Sequence, residues 1–317
     1  MSKTILITGG LGYVGGRVSK FLAENTDYNL IITDINQKTL KPNWLENGKI
    51  VHLDLASEKI NEVCNGVDCI IHLAAINEIE SGENPQKALL INSLGSLKLL
   101  ISAEENNVKR FIYFSTAHVY GSPLVGDIDE EKLTRPVHPY SITHKVAEDF
   151  ILALHDKKKI EAVVLRMSNS FGAPIDPNVN RWTLLVNDLC RQAVTTKKMV
   201  LKSSGLQVRD FIPLNDVCRA IQHFITIPKD KLNDGIFNLG GEKTYSILEM
   251  TQLIAERCNV VLGFYPEIKK EQQTTNDKTE GLKYSINKLR ATGFSPMNDF
   301  NEEIDNTLVF CNEHFSK

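Results

Sequence analysis

The segment RPVHPYSITHKVAEDF, residues 135–150, places a tyrosine and a lysine close together in the chain. A phenol beside an ammonium group can exchange a proton with a substrate hydroxyl, because the positive charge lowers the phenol pKa from its unperturbed value of about 10. In a helix, residues four apart share a face, whereas residues five apart are turned about 140° from each other. Tyr140 and Lys145 are five apart, so a regular helix would separate them.

Three arrangements are compatible with this spacing. A π-bulge can absorb the additional residue, or Tyr140 can precede the first helical turn, where Pro139 makes its approach rigid. Alternatively, Ser141, four residues before Lys145, takes the place of the tyrosine. Catalysis would then be lost or altered, because a serine hydroxyl is a far weaker acid than a phenol.

A glycine-rich turn near the start of the chain is a candidate dinucleotide site. The segment ILITGGLGYVGGRVSKFL places Gly9, Gly12 and Gly15 between a strand-like run and an amphipathic helix that begins near Tyr13 and Val14. Glycines permit a tight turn and a close approach of backbone N–H groups to a diphosphate, and the helix N-terminus adds positive potential. The spacing predicts binding of the diphosphate of a dinucleotide cofactor.

Acidic and small residues after the following strands extend this site. Asp34, followed by Ile35, ends the second strand-like run about 20 residues after the turn, where a carboxylate accepts hydrogen bonds from the adenosine ribose. Such a carboxylate repels a 2′-phosphate and therefore predicts NAD rather than NADP. The third and fourth runs are followed by the other candidates, Asp54, Leu55, Leu73, Ala74 and Ala75. Capping of the following helices is the alternative role of both carboxylates.

Short apolar runs alternate with longer amphipathic stretches through the first half of the chain. The runs indicate strands buried on both faces of a parallel sheet and lie at 4–9, 29–34, 49–54, 69–75, 110–115 and 161–167. Helix-like stretches lie between them at 13–25, 85–106 and 139–157. This alternation predicts an α/β fold with a doubly wound parallel sheet.

The regular alternation ends near residue 168. We predict a dinucleotide-binding domain over residues 1–168, to which residues 208–241 return through the strand-like segments 210–214 and 235–241. Residues 169–207 and 242–317 then form a smaller, interleaved, C-terminal substrate-binding lobe.

Composition limits the partners of the protein. The 36 basic and 39 acidic residues give a formal charge of −3, so no nucleic acid and no anionic membrane is expected as a partner. The chain shows no signal-peptide pattern and no apolar run of the roughly 18 residues that a membrane span requires, which predicts a soluble cytoplasmic protein. The six cysteines and eight histidines lack the spacing of a metal site, so reduced thiols and no metal are expected.

Several motifs in a fixed order resemble the extended short-chain dehydrogenase/reductase family, in particular its nucleotide-sugar epimerases, dehydratases and reductases. These motifs are TGGLGYVG, HLAA, Asn92, FIYFSTAHVYG, PYSITHK, LRMSNSFGAP, QVRDFIPLNDVCRA, FNLGG and LRATGFSP. They cover nearly the whole chain. The resemblance implies a Rossmann sheet, NAD as the cofactor with Asn92 among the residues that bind it, and a nucleotide sugar as the substrate.

In that family a Ser or Thr, a Tyr and a Lys act as one unit. The resemblance assigns the hydroxyl that binds the reacting oxygen to Thr116 and the proton-exchanging phenol to Tyr140. It assigns the ammonium group that binds the nicotinamide ribose and stabilises the phenolate to Lys145. The order Pro139, Tyr140 also matches the family, which favours Tyr140 over Ser141 despite the additional residue.

The residues after the threonine depart from the family's dehydratases, which carry acidic residues there. This chain has Ala117 and His118 instead, so dehydration of a sugar is disfavoured. His118 either assists as an acid or base, since its unperturbed pKa is about 6.5, or is a hydrogen-bonded bystander.

The resemblance also implies a substrate end of the site. Asn169 and Asn180 would meet the diphosphate or the sugar, and Arg209 would pair with the diphosphate through both guanidinium nitrogens. A surface pair with Asp210 is the alternative for Arg209. The residues that recognise the base are not readable, so UDP, GDP, dTDP and CDP sugars all stay open.

We therefore expect NAD-dependent oxidation of a sugar hydroxyl, at C4, in a nucleotide-activated sugar. The enzyme would be an epimerase or a 4-dehydrogenase in polysaccharide or glycan precursor synthesis. A catalytically silent NAD-binding sensor or scaffold is the alternative, motivated by the displaced tyrosine. The helices after Asn92 and around Lys145 each carry an apolar stripe, and the family pairs subunits through such helices. A homodimer is therefore expected, with a tetramer as the other assembly.

Overall fold

A computed structural model describes residues 2–35, 40–56, 60–270 and 281–316 of the chain. The strands, in chain order, are β1 (Thr4–Thr8), β2 (Asn29–Asp34), β3 (Gly48–His52), β4 (Cys69–His72), β5 (Arg110–Thr116), β6 (Gly126–Ile128), β7 (Glu161–Met167), β8 (Asn169–Phe171), β9 (Lys198–Leu201), β10 (Val208–Pro213), β11 (Ile236–Leu239), β12 (Thr244–Ser246), β13 (Glu267–Lys270) and β14 (Leu282–Tyr284).

Helices follow most of these strands. They are α1 (Tyr13–Asn25), α2 (Glu78–Glu83), α3 (Pro85–Ala88), α4 (Ser96–Glu105), α5 (Pro139–Asp156), α6 (Leu185–Thr196), α7 (Leu214–Thr226), α8 (Ile247–Leu262), α9 (Asn287–Ala291) and α10 (Phe300–Phe315). A π-helical segment, Leu89–Gly95, joins α3 to α4, and 3-10 helices lie at Asn61–Cys64, Ala117–Tyr120 and Lys229–Leu232. Across the described ranges, none of the helices combines the length and apolarity that crossing a membrane requires.

A seven-stranded parallel sheet forms the centre of the larger domain, in the order β11-β7-β5-β4-β1-β2-β3. Its strands alternate their side chains between two apolar layers, so Ile5 and Ile7 join one cluster and Leu6 joins the other. The chain moves outward in both directions from the middle of the sheet, and the order reverses between β1 and β4. A crevice opens at the carboxyl ends of strands at such a reversal. The doubly wound sheet is thus confirmed, and all six predicted strands belong to it.

Outside the main sheet the strands form three small sheets, β12-β10-β8, β13-β9 and β14-β6. The smaller lobe is the part of the chain around a separate apolar cluster formed by β8, β9, β10, α6, α8 and α10. Of the two segments expected to return to the main sheet, 235–241 does so as the edge strand β11, but 210–214 does not. Its strand, β10, is the centre of the three-stranded sheet, because Phe211 packs into the apolar cluster of the smaller lobe with Phe171 and Phe300.

A buried ion pair fixes α5 against the sheet. Arg166 of β7 is 3% exposed and Glu148 of α5 is fully buried. The Arg166 guanidinium donates to the Glu148 carboxylate through Nη2 at 2.8 Å and Nε at 3.1 Å. The Ser115 hydroxyl donates to Glu148 as well, and the Tyr120 hydroxyl oxygen accepts from Arg166 Nη1 at 3.0 Å. Since an unpaired charge is costly at this depth, the pair holds the rotation of α5 about its own axis.

Replacing Glu148 with glutamine leaves the buried Arg166 charge without its counter-ion. We expect Glu148→Gln to lower the free energy of unfolding by about 3–5 kcal/mol in urea denaturation. Asp149, the next residue of the same helix, pairs with Lys145 at the surface, so Asp149→Asn should cost less than about 1 kcal/mol. Equal losses in the two variants would show that the buried pair does not anchor the helix.

Candidate active site

One cavity of about 710 Å³ opens at the carboxyl ends of β1, β4, β5 and β7. It brings together most of the residues that the sequence singled out. Those that line it are Gly9, Gly12, Tyr13, Val14, Gly15, Leu73, Ala74, Ala75, Thr116, His118, Tyr140, Asn169, Asn180 and Arg209. The cavity therefore spans from the glycine turn to the smaller lobe.

The glycine turn forms one end of the cavity, and close packing requires glycine there. Gly9 has a φ of 63°, and a Cβ on it would lie 2.9 Å from the Ala74 backbone. A Cβ on Gly15 would lie 2.1 Å from the Gly9 carbonyl oxygen. Helix α1 begins directly after Gly12 with no acidic residue in its first turn and no side-chain cap, so its positive end faces the cavity. These features fit a dinucleotide diphosphate.

Asp34 and Ile35 lie at the end of β2, beside the glycine turn but outside the lining of the cavity. The end of β2 is joined to the turn by a backbone hydrogen bond, in which Gly10 N–H donates to the carbonyl of Thr33, the residue before Asp34, at 3.3 Å. Ile35 is 67% exposed. Contact of Asp34 with the adenosine ribose stays a prediction.

Asp54 and Leu55 are also outside the cavity lining. The Asp54 carboxylate accepts from Ala56 N–H at 2.9 Å, which is a local turn contact. Leu55 is 5% exposed and packs into the core against Gly95, where a Cβ would lie 2.8 Å from the Leu55 Cβ. Their part in cofactor binding stays a prediction.

Asn92 lies in the π-helical segment and does not line the cavity. Its side-chain oxygen accepts from Ile76 N–H at 2.9 Å, and its amide donates to the Thr143 hydroxyl at 3.2 Å. These two bonds tie the loop after β4 to α5. Contact of Asn92 with the cofactor stays a prediction, and the bonds described here are ones by which its amide positions two walls of the site.

Thr116 is the last residue of β5, and His118 lies two residues later in the 3-10 helix. The Thr116 hydroxyl oxygen accepts from His118 N–H at 3.2 Å, which leaves its own proton to be donated. His118 is exposed to the cavity, yet the protein atoms around it lower the pKa of its imidazole, and the Arg209 guanidinium lowers it further. A neutral His118 at physiological pH follows from both effects.

Helix α5 decides which side chain accompanies Tyr140. The helix starts at Pro139, and its N-cap is His138, whose Nδ1 accepts from Tyr140 N–H at 3.2 Å. Tyr140 thus lies inside the first helical turn. The helix is α-helical throughout its length, and the π-helical turns of the described residues are those of Leu89–Gly95.

The expected pairing of Tyr140 with Lys145 is therefore contradicted. Neither remedy for the additional residue occurs, and the regular helix turns Lys145 away from Tyr140. Its ammonium group pairs with Asp149 at the outer surface, and the residue does not line the cavity. Ser141 faces the cavity, but its hydroxyl donates to the His138 carbonyl at 3.0 Å.

His144 occupies the position four residues after Tyr140. Its ring centroid is 4.2 Å from that of Tyr140, and the residue lines the cavity while being 2% exposed. His144 Nδ1 lies 2.8 Å from the Tyr140 carbonyl oxygen. Burial lowers the pKa of the His144 imidazole to about 4, so it is neutral at physiological pH.

The electrostatics around the Tyr140 phenol follow from the same arrangement. Burial raises its pKa to about 12, the Arg181 guanidinium lowers it, and the Glu78 carboxylate raises it. Arg181 and Glu78 pair with each other, with Nη1 3.1 Å from Oε2, and both line the cavity. The cation that acts on the phenol thus comes from the segment before α6 and not from α5.

Asn169 of β8 lies opposite Phe211 of β10, and Arg209 lies two residues before Phe211 on the same strand, opposite Tyr245 of β12. The Asn169 amide donates to the Asp210 carbonyl at 2.9 Å. The considered surface pair of Arg209 with Asp210 does not form, because the Asp210 carboxylate is buried and accepts from Ser168 and Gly241. Within the described part of the chain Arg209 has no carboxylate partner, and its Nη2 donates to the Gln207 amide oxygen at 3.0 Å. Its guanidinium is available to an anion.

Among the cavity residues that the sequence did not single out, three carry the charge or ring closest to the phenol: Glu78, His144 and Arg181. Counting four residues on from Tyr140 identifies His144, but an imidazole is not what the resembled pattern contains there. Arg181 directly follows Asn180, yet its pairing with Glu78 spans 103 residues and leaves no local signal.

The sequence model of the NAD dependent epimerase/dehydratase family matches residues 5–240. A putative UDP-glucose 4-epimerase of Methanocaldococcus jannaschii is 27% identical over 304 residues, which cover 95% of this chain and 95% of that protein. A human dTDP-D-glucose 4,6-dehydratase is 26% identical, with 99% of this chain and 91% of that protein covered.

The fold has similar solved structures. The UDP-N-acetylglucosamine 4-epimerase of Methanobrevibacter ruminantium, solved in complex with UDP-N-acetylmuramic acid, superposes with a TM-score of 0.81 at 25% identity. The superposition covers 98% of each chain.

The buried histidines predict a pH dependence of stability. His72 and His144 are neutral when folded, since burial lowers their pKa values to about 3 and about 4, but both take up a proton near pH 6.5 when unfolded. The unfolded state therefore binds more protons below pH 6.5, and the free energy of unfolding falls as the pH is lowered from 6.5 toward 4.

Each such histidine takes up one proton on unfolding, which adds a slope of about 1.4 kcal/mol per pH unit to the free energy of unfolding between pH 5 and 6. His144→Gln should remove the contribution of one histidine. The exposed His314→Gln is the matched control at the surface. Urea denaturation across this pH range measures both. An unaltered slope in the His144 variant would mean that its imidazole is not held neutral.

Proposed function

The chain belongs to the NAD-dependent epimerase/dehydratase family and is an NAD-dependent enzyme of the extended short-chain dehydrogenase/reductase type, and on that premise we propose that it epimerises a nucleotide-activated sugar at C4. The proposal rests on one observation: one cavity is lined by the glycine turn, by the hydroxyl side chains of Thr116 and Tyr140, and by the guanidinium of Arg209. Two diphosphates can thus be held at opposite ends of the same space, with the hydroxyl groups between them.

We propose the following roles for the residues of the cavity. The Thr116 hydroxyl would donate to the reacting oxygen, and Tyr140 would take the proton of the sugar hydroxyl and later return it. Gly9, Gly12 and Gly15 would hold the cofactor diphosphate, and Arg209 would hold the substrate diphosphate. When bound, NAD supplies the hydride acceptor and, in an epimerase, the hydride that returns to the other face of the sugar.

A uridine diphosphate sugar is the first candidate substrate. It is supported by the names of the archaeal relative and of the archaeal structure, both UDP-sugar 4-epimerases. Dehydration, the reaction named for the human relative, is disfavoured because Ala117 and His118 replace acidic residues after Thr116. A 4-dehydrogenase shares the first half of the reaction and differs by releasing the keto sugar. The comparisons give no support to a catalytically silent sensor or scaffold.

Incubation with a panel of UDP, GDP, CDP and dTDP sugars tests the reaction. We expect one UDP sugar to yield its C4 epimer without net reduction of NAD, and Tyr140→Phe to slow this conversion by about 10²–10⁴-fold because proton transfer is lost. Chromatography of the sugar products and the absorbance of reduced nicotinamide measure the two quantities. Released keto sugar with an equal amount of NADH would identify a dehydrogenase instead. Bound NAD with no reaction in any mixture would contradict the proposal.

We also propose that the enzyme is a homodimer, with a tetramer as the other assembly. The π-helical segment, α4 and α5 expose a group of large apolar side chains, Leu90, Leu94, Ile101, Ile142 and Phe150. These residues lie on elements that pack against each other, and we propose that a second copy covers them.

Leu94→Glu should dissociate such a dimer, because it places a charge at the centre of the apolar surface. Sedimentation velocity measures the change in mass, and Val260→Glu, at an exposed apolar residue of α8, is the control that should leave the mass unchanged. A monomeric wild-type protein, or a Leu94 variant of unaltered mass, would rule out this interface.

A further inference from the structure

Tyr140 has a neutral neighbour where the resembled family has a cation. Position 144 is one helical turn from Tyr140, and the two rings are in contact with centroids 4.2 Å apart. The ammonium group of Lys145 is paired with Asp149 on the other side of α5. The residue that shares the cavity with the phenol is therefore an imidazole.

The hydrogen bond of His144 fixes its tautomer. Nδ1 lies 2.8 Å from the Tyr140 carbonyl oxygen, and because a carbonyl only accepts, Nδ1 carries the proton and donates. In a neutral imidazole the other nitrogen, Nε2, then has a free lone pair. Among the described residues, the hydrogen bond of the His144 ring is the one at Nδ1. His144 thus presents a bare acceptor in a wall of the cavity.

We propose that His144, and not Lys145, is the partner of Tyr140, and that its Nε2 accepts a hydrogen bond from a hydroxyl of the nicotinamide ribose. The inference rests on the proposed function, since it assigns a contact of the same site. An acceptor suits a ribose, whose hydroxyl groups donate as well as accept. The imidazole would therefore position the ribose as a lysine does in the resembled family, but it supplies no positive charge.

The missing charge has a consequence for Tyr140. The titratable or charged groups that face the two rings are Tyr113 of β5, His72 of β4, Glu78 of α2, Arg181, His138 and Glu148. Of these, Arg181 is the cation that acts on the phenol, and Glu78 offsets it. Phenolate formation should thus require a higher pH than it would beside a lysine.

Three variants of the full-length protein test the assignment: His144→Phe, which keeps a ring without the acceptor, His144→Lys and Lys145→Ala. Calorimetric titration with NAD alone should show about five- to tenfold weaker binding for His144→Phe, from the loss of one hydrogen bond, and unchanged binding for Lys145→Ala. In nitrogen NMR spectra of the wild type, NAD should shift the signal of an unprotonated imidazole Nε2, and that signal should be missing from His144→Phe.

The third readout is the pH profile of sugar oxidation. His144→Lys should move its rising limb at least about one pH unit lower, because an ammonium group then stabilises the phenolate. Wild-type NAD affinity in His144→Phe, an unshifted Nε2 signal, weaker binding in Lys145→Ala, or an unmoved profile in His144→Lys would each overturn the assignment.

The two binding readouts use no sugar. If no nucleotide sugar reacts while NAD binding depends on His144, the proposed function fails and the assignment of His144 stands. If the sugar reacts but NAD binding does not depend on His144, the reverse holds.

Discussion

The rotation of α5 about its own axis determines the chemistry of this site. The buried pair of Glu148 with Arg166 joins the helix to β7, and the cap at His138 and Pro139 fixes where the helix begins. Tyr140, His144 and Glu148 follow one another at intervals of four, so they form one row facing inward. Because the ion pair holds this face of the helix inward, turning Lys145 towards the phenol would require breaking the ion pair.

The parallel sheet supplies the other constraint. Because β1, β4, β5 and β7 all end at the same edge, the loops after them converge on one cavity without any long connection. The glycine turn, Thr116 and Asn169 are brought together in this way. The smaller lobe adds Arg209 from the far side, and the pairing of Arg181 with Glu78 links the two parts across the cavity.

Much of this arrangement could be predicted from the sequence, since it depends on local pattern. The six apolar runs and the glycine turn follow from burial and backbone geometry, and the glycine turn lies at one end of the cavity. The prediction for Lys145 was wrong because the resembled motif pairs a tyrosine with a lysine, whereas in a regular helix residues five apart point in different directions. The strand β10 was misassigned because Phe211 is as apolar as a main-sheet residue, and the sequence does not show which cluster it joins. The contact of Arg181 with Glu78 depends on packing alone.

A crystal structure of the wild-type protein with NAD and a UDP sugar tests the central claim most directly. We predict that the cofactor diphosphate lies at the N-terminus of α1, that the nicotinamide ribose lies within hydrogen-bond distance of His144 Nε2, and that the sugar hydroxyl lies between Thr116 and Tyr140. A structure in which α5 is rotated so that the Lys145 ammonium binds the ribose, or in which the sugar lies away from Tyr140, would contradict it.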